Sequence, residues 1–154
     1  RGVNLFKGLD SEKTKQAAKN TLEAYRFLKR VSGEKFSSKV TAVYSFEPRS
    51  YTGTVSNPIE SHMVRQVAAQ QRVDEIEQAI NMMTEAFHKQ LLYEKYCIMK
   101  ERKDIEIYMM LEYSETEFYR MLDEALFNFA EVYRHGELLV FKDGQSFEDF
   151  LGVN

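Results

Sequence analysis

The sequence predicts an all-α fold: a helical array ending in a helix-turn-helix, preceded by an N-terminal helix and an extended connector. Three observations carry this expectation. The 154 residues include only two prolines and seven glycines, against abundant Glu, Gln, Lys, Ala, Met and Leu, the residues that lose least on entering a helix. Apolar residues recur at helical spacing through most of 59–135. Ser114 and Glu117 stand at the spacing of a capping box, which satisfies two orphan amide donors where a helix starts.

The elements follow from these signals. A first helix starts at Asp10 and Ser11, carries Ala18, Leu22, Tyr25 and Leu28 or Lys29 on one face, and stops at Gly33. Residues 34–58 are rich in Ser, Thr, Tyr and Val and should be extended. After Asn57 and Pro58 a long helix is expected from Ile59 to Met83, with Val64, Val67, Ala68, Val73, Ile76, Ile80 and Met83 as its buried stripe. A second runs from Glu85 to Met99 and buries Phe87, Leu91, Leu92 and Tyr96. Next comes a short helix with Ile107 and Leu111 four apart, then about three connecting residues, then a helix from Ser114 with Phe118, Met121, Ala125, Leu126, Phe129 and Tyr133 turned inward. Gly136 stops it, and "LLVF" reads as a short strand in the tail. The expected units are therefore 1–33, 34–58, 59–135 and 136–154.

Chemistry is constrained more by what the sequence lacks. His62, His88 and His135 are not spaced as metal ligands on a helix and read as surface residues; there is no cysteine pair and no glycine-rich phosphate loop. Neither catalysis nor a metal or other cofactor is expected. The lone Cys97 sits among apolar residues and reads as a buried thiol in a reducing, cytoplasmic compartment. No window approaches the ~18 apolar residues that a membrane span needs, so no membrane partner is expected.

Charge is uneven although the net value is only −3. Residues 1–40 hold ten Lys or Arg against four acids, whereas residues 73–134 hold seven against fourteen. The basic arm, Lys7, Lys13, Lys15, Lys19, Arg26, Lys29, Arg30 and Lys39, reads either as a contact for nucleic acid or an acidic partner, or as a solvated helix face. In the last long helix, an inward Phe118, Met121, Ala125 and Phe129 places Glu115, Thr116, Tyr119, Arg120 and Asp123 outward. Arg120 is the candidate donor to a base or phosphate. Thr116 and Tyr119 are candidates for phosphate or a thymine methyl, and Glu115 for a cytosine amine. Lys100, Arg102 and Lys103 would extend this set. The bland alternative packs Tyr119 on a neighbouring helix and pairs Arg120 with Glu124.

Helices around "VDEIEQAINMM", "AFHKQLLYEKY", "IEIYMMLEYS" and "ETEFYRMLDEALFNFAEVY" follow an order that resembles the fourth region of bacterial sigma factors. More specifically, Tyr113-Ser114, Phe118-Tyr119-Arg120, Ala125-Leu126, Phe129-Ala130-Glu131 and Gly136 to Val140, with "TLEAYRFLKRVSG" near the start, resemble the ArpU family of autolysin and phage late-gene regulators. The resemblance implies a transcriptional regulator of phage or prophage late genes that binds double-stranded DNA in a bacterial cytoplasm, with host RNA polymerase as a further partner. Its rival is a helical interaction module that docks on RNA polymerase or another phage protein without touching DNA. Against the motif of such units, Tyr108 stands where Ala or Gly is usual and Glu112 where Gly often makes the turn, so the backbone at Glu112 is expected to avoid positive φ. The tail, the connector aromatics Tyr44, Phe46 and Tyr51, and the stripe of the long helix offer apolar surface for a homodimer, or for folding back on the same chain.

Overall fold

A carboxylate starts the first helix and a glycine ends the second, as their chemistry dictates. Asp10 Oδ1 accepts the Lys13 N–H at 3.0 Å and caps α1 (Ser11–Glu23), while Gly33, at φ 78°, closes α2 (Tyr25–Ser32). The expected single helix is interrupted at Ala24, whose N–H turns to the Thr21 carbonyl. The computed structural model describes residues 8–34 and 61–152, and these are all-α. The extended connector expected over 34–58, its aromatics Tyr44, Phe46 and Tyr51, and the cations Lys7 and Lys39 lie outside the described residues, apart from Glu34.

α3 (Ser61–Met82) packs along α2, with Val73, Ile76, Ile80 and the following Met83 buried. Val64 and Val67 are 55 % and 39 % exposed and Ala68 is exposed, contrary to the expected stripe. α2 ends at Ser32, beside Gln66, and no described helix accompanies the turns of α3 before that point. α4 (Ala86–Leu92) runs into a π-helical turn (Tyr93–Cys97) that buries Tyr93, Glu94, Tyr96 and Cys97. Phe87, expected inside, is 56 % exposed and meets Tyr113 edge-on, because α4 turns His88, Leu91 and Leu92 inward; His88 is thus buried rather than on the surface. Arg26 of α2 donates to the carbonyls of Ile98 at 2.6 Å and Lys95 at 2.8 Å, satisfying acceptors that the end of the π-turn leaves open.

α5 (Asp104–Met110) and α6 (Glu115–Val132) are joined by Leu111 to Ser114. Glu112 has φ 62°, against the expectation that this backbone avoids positive φ. The reason is the closing geometry of α5: the Glu112 N–H bonds to the Met109 carbonyl and the Tyr113 N–H to the Tyr108 carbonyl, the paired bonds of a Schellman cap, which require a left-handed residue between them. Tyr108, in place of a small residue, packs its ring against Phe118 at 5.5 Å. The capping box of α6 is formed, with Ser114 Oγ accepting the Glu117 N–H at 3.1 Å and Glu117 Oε1 accepting the Ser114 N–H at 3.2 Å. Ser114→Ala is expected to cost ~1 kcal/mol in a denaturant melt, the usual worth of a serine cap.

One core unites these helices. Phe118, Ala125, Phe129 and Ile107 are fully buried, with Ala18, Leu22 and Tyr25 of the N-terminal helices in the same cluster; Met121 and Leu111 sit half-buried at its margin. The "LLVF" segment forms no strand among the described residues, only an isolated antiparallel bridge between Leu9 and Phe141. Its backbone is used elsewhere, since Thr14 Oγ1 accepts the Val140 N–H and the Asp10 N–H reaches the Val140 carbonyl. The tail therefore folds back onto α1 of its own chain before ending in α7 (Phe147–Leu151), which periodicity did not reveal.

Candidate nucleic-acid interface

The outward face of α6 is set by the inward one. With Phe118, Leu122, Ala125 and Phe129 in the core, Glu115, Thr116, Tyr119 and Arg120 are exposed over the first two turns. The face does not stay open along its length, because α1 lies against α6 and Lys15 reaches Asp123 at 3.5 Å. The end of α6 nearest its cap is thus the part that a large partner can approach.

Each candidate has a definite neighbour. Tyr119 is 42 % exposed and donates its hydroxyl to Asp104 Oδ2 at 3.0 Å. That bond to a carboxylate holds the phenol pKa above its ordinary value. Since Asp104 follows Lys103, the contact sets the start of α6 beside the 100–103 segment. There Lys100 and Lys103 are exposed, while Arg102 is bound to the buried Glu94 carboxylate. Arg120 Nη1 lies 3.1 Å from Glu124 Oε2, the pairing anticipated from four-residue spacing. Thr116 and Glu115 are exposed beside them.

Sequence reasoning did not bring together the residues behind this face. Lys15, His88, Glu124 and Asn128 line a cleft of about 870 Å³ between the start of α1, α4 and α6, together with Arg120, Met121 and Phe127. Lys15 also pairs with Glu12 at 2.9 Å; that hydrogen bond, with Asp123 alongside, raises the amine's pKa. Nothing local in the sequence signals that a lysine of the first helix will neutralise an acid of the sixth. These pairings change the meaning of the acidic count: Glu117 is engaged in the cap, Asp123 by Lys15 and Glu124 by Arg120, so the local field is weaker than the composition implies.

The basic arm divides. Lys13, Lys19 and Arg30 are exposed, whereas Arg26 is spent on backbone carbonyls and Lys29 is buried against Glu77 at 3.2 Å. These last two are structural cations, not phosphate donors. Cys97 is buried, and its burial raises the thiol pKa well above the usual range. Among the described residues no group of three or more His, Cys, Asp or Glu is placed to hold a metal ion, and no helix is long and apolar enough to cross a membrane.

No family model matches the chain, and no solved structure does. Two relatives match along nearly their whole lengths. A protein of Streptococcus phage O1205 named as the autolysin regulatory protein ArpU is 29 % identical over 136 residues, covering 88 % of this chain and 98 % of the relative. A protein of the same name from Enterococcus hirae is 26 % identical over 140 residues, covering 91 % of this chain and all of the relative.

Proposed function

We propose that the chain, similar along nearly its whole length to two ArpU proteins, is a member of the ArpU family and a non-enzymatic regulator of phage or prophage late genes that binds double-stranded DNA through a helix-turn-helix made of α5 and α6. The observation that carries this reading is the form of the two-helix unit. A left-handed Glu112 reverses the chain between a short helix and a longer one, and the first two turns of the longer helix stand open with Thr116, Tyr119 and Arg120 outward. Such a unit enters the major groove with the start of its second helix, and that end is the one α1 leaves uncovered. Thr116 and Tyr119 serve phosphate oxygens, Arg120 a base edge, and Lys100 and Lys103, beside Asp104, the backbone flanking the groove. Arg102, held by Glu94, steadies that segment rather than reaching out. The reading requires no cofactor and places the protein in the bacterial cytoplasm, where its DNA is. A homodimer would lengthen the site read.

Arg120→Ala is expected to weaken binding to the cognate duplex by ~1–3 kcal/mol, the scale of a specific base contact. Duplexes enriched from a random pool, titrated by gel shift, provide the measurement. Unchanged affinity with an intact fold removes Arg120 from the interface.

One observation favours a second reading. α5 exposes Ile105 (54 %), Met109 (68 %) and Met110 (46 %), apolar surface that DNA does not need and a protein such as RNA polymerase could cover. If no duplex is enriched by the wild-type chain, this docking role replaces the first.

A further inference from the structure

Arg120 is held by more than an exposed helical ion pair. The two oxygens of Glu124 point to different partners: Oε2 to Arg120 Nη1 at 3.1 Å, and Oε1 to His88 Nε2 at 3.4 Å. The His88 side chain is only 9 % exposed. Its Nδ1 lies 2.8 Å from the Asn128 side-chain amide nitrogen, while its Nε2 faces Glu124. The guanidinium thus stands at the outer end of a chain of polar contacts rooted in the interior between α4 and α6. Isolated surface pairs leave both side chains mobile and contribute little. Here the carboxylate, itself half exposed, also has a buried imidazole 3.4 Å behind it.

We infer that Glu124, steadied by His88, is a positioning residue that commits Arg120 to reading guanine. The inference rests on the DNA-binding reading above and adds to it the base that is read. With Nη1 engaged by Glu124, the guanidinium keeps its Nε and Nη2 edge, a pair of parallel N–H donors that matches O6 and N7 of guanine in the major groove. Adenine offers a donor where one of those acceptors would be, so the fixed edge discriminates between the two purines. The same carboxylate repels phosphates and disfavours a drift of Arg120 to the DNA backbone, where it would read no sequence. Removing the charge of Glu124 should therefore lower selectivity without lowering affinity for DNA in general.

The experiment uses the full chain and a pool of duplexes with a randomised core. Selection is carried out with wild type, Glu124→Gln and Arg120→Ala, followed by titration of the enriched duplex and of versions with each guanine replaced. Wild type is expected to prefer guanine at one step by about 5- to 150-fold, the range of a good bidentate contact. Arg120→Ala should abolish the preference at that step alone. Glu124→Gln should reduce it to roughly threefold or less against that range, with the rest of the site unchanged and random-duplex affinity equal or higher. A general structural defect would instead weaken every position together. The inference is overturned if Glu124→Gln keeps the full guanine preference while Arg120→Ala loses it, which leaves the DNA-binding reading standing. It is also overturned if Arg120→Ala weakens all sequences uniformly, the mark of a phosphate contact. Absence of enrichment by wild type ends both.

Discussion

Phe129→Ala is expected to destabilise the protein by ~3–5 kcal/mol, the range for deleting a fully buried phenylalanine. Phe129 has no exposed surface and stacks on Tyr133 at 5.3 Å between ring centres, with 27° between planes. Alanine would lose the transfer energy of the ring and leave a cavity where α6 packs against its neighbours. For a domain whose total stability lies around 5–15 kcal/mol, such a loss removes a large part of it and lowers Tm by on the order of 10 °C. Denaturant titration reads the effect as a lower midpoint. Phe87→Ala is the internal control, since Phe87 is 56 % exposed and its loss should move the midpoint little. Equal effects at the two positions would contradict the register that turns Arg120 outward.

Lys29→Met should cost a similar ~3–5 kcal/mol, for a different reason: it strands a buried carboxylate. The Lys29 and Glu77 side chains are 6 % and 4 % exposed, with Nζ 3.2 Å from Oε2 and Glu34 a further 3.6 Å neighbour. Tyr25 donates to the same Glu77 oxygen at 2.6 Å. Methionine fills the space of the lysine stem but supplies no charge, so the buried Glu77 carboxylate loses this ion pair. Adding Glu77→Gln removes the charge and keeps an acceptor for Tyr25, and the double variant should recover most of the loss. Urea melts of the two variants decide it. If the double variant is no better than the single, the cost comes from packing of the lysine stem and not from the charge.

What the sequence made legible was what local chemistry dictates. Asp10, Gly33 and Ser114 with Glu117 mark helix ends because each satisfies or frees backbone groups within a few residues of itself. Phe118, Ala125 and Phe129 recur at a spacing that only one helical face can absorb, and the exposure of Thr116, Tyr119 and Arg120 follows. What stayed hidden depends on partners far along the chain. Lys29 and Arg26 read as free cations because their acceptors lie 48 and about 70 residues away. His88 read as a surface group because its burial depends on Asn128 and Glu124 in another helix. The left-handed Glu112 escaped for a subtler reason. A glutamate disfavours that conformation, and the two backbone bonds closing α5 favour it there.

The pairing of α1 with α6 also sets a schedule for folding. α1 ends at Glu23 and α6 begins at Glu115, so the apolar face of α1 waits for about ninety further residues before its partner exists. At the ~5–20 residues per second of translation, that is an interval of roughly 5–20 s. During it Ala18 and Leu22 lack the helix that will cover them. The bonds that tie Asp10 and Thr14 to Val140 come later still. A ribosome stalled before Phe129 would hold a chain with an uncovered first helix, a ready substrate for chaperones and proteases. Synthesis of α6 and of the segment around Val140, rather than of any earlier segment, is what gives α1 its cover.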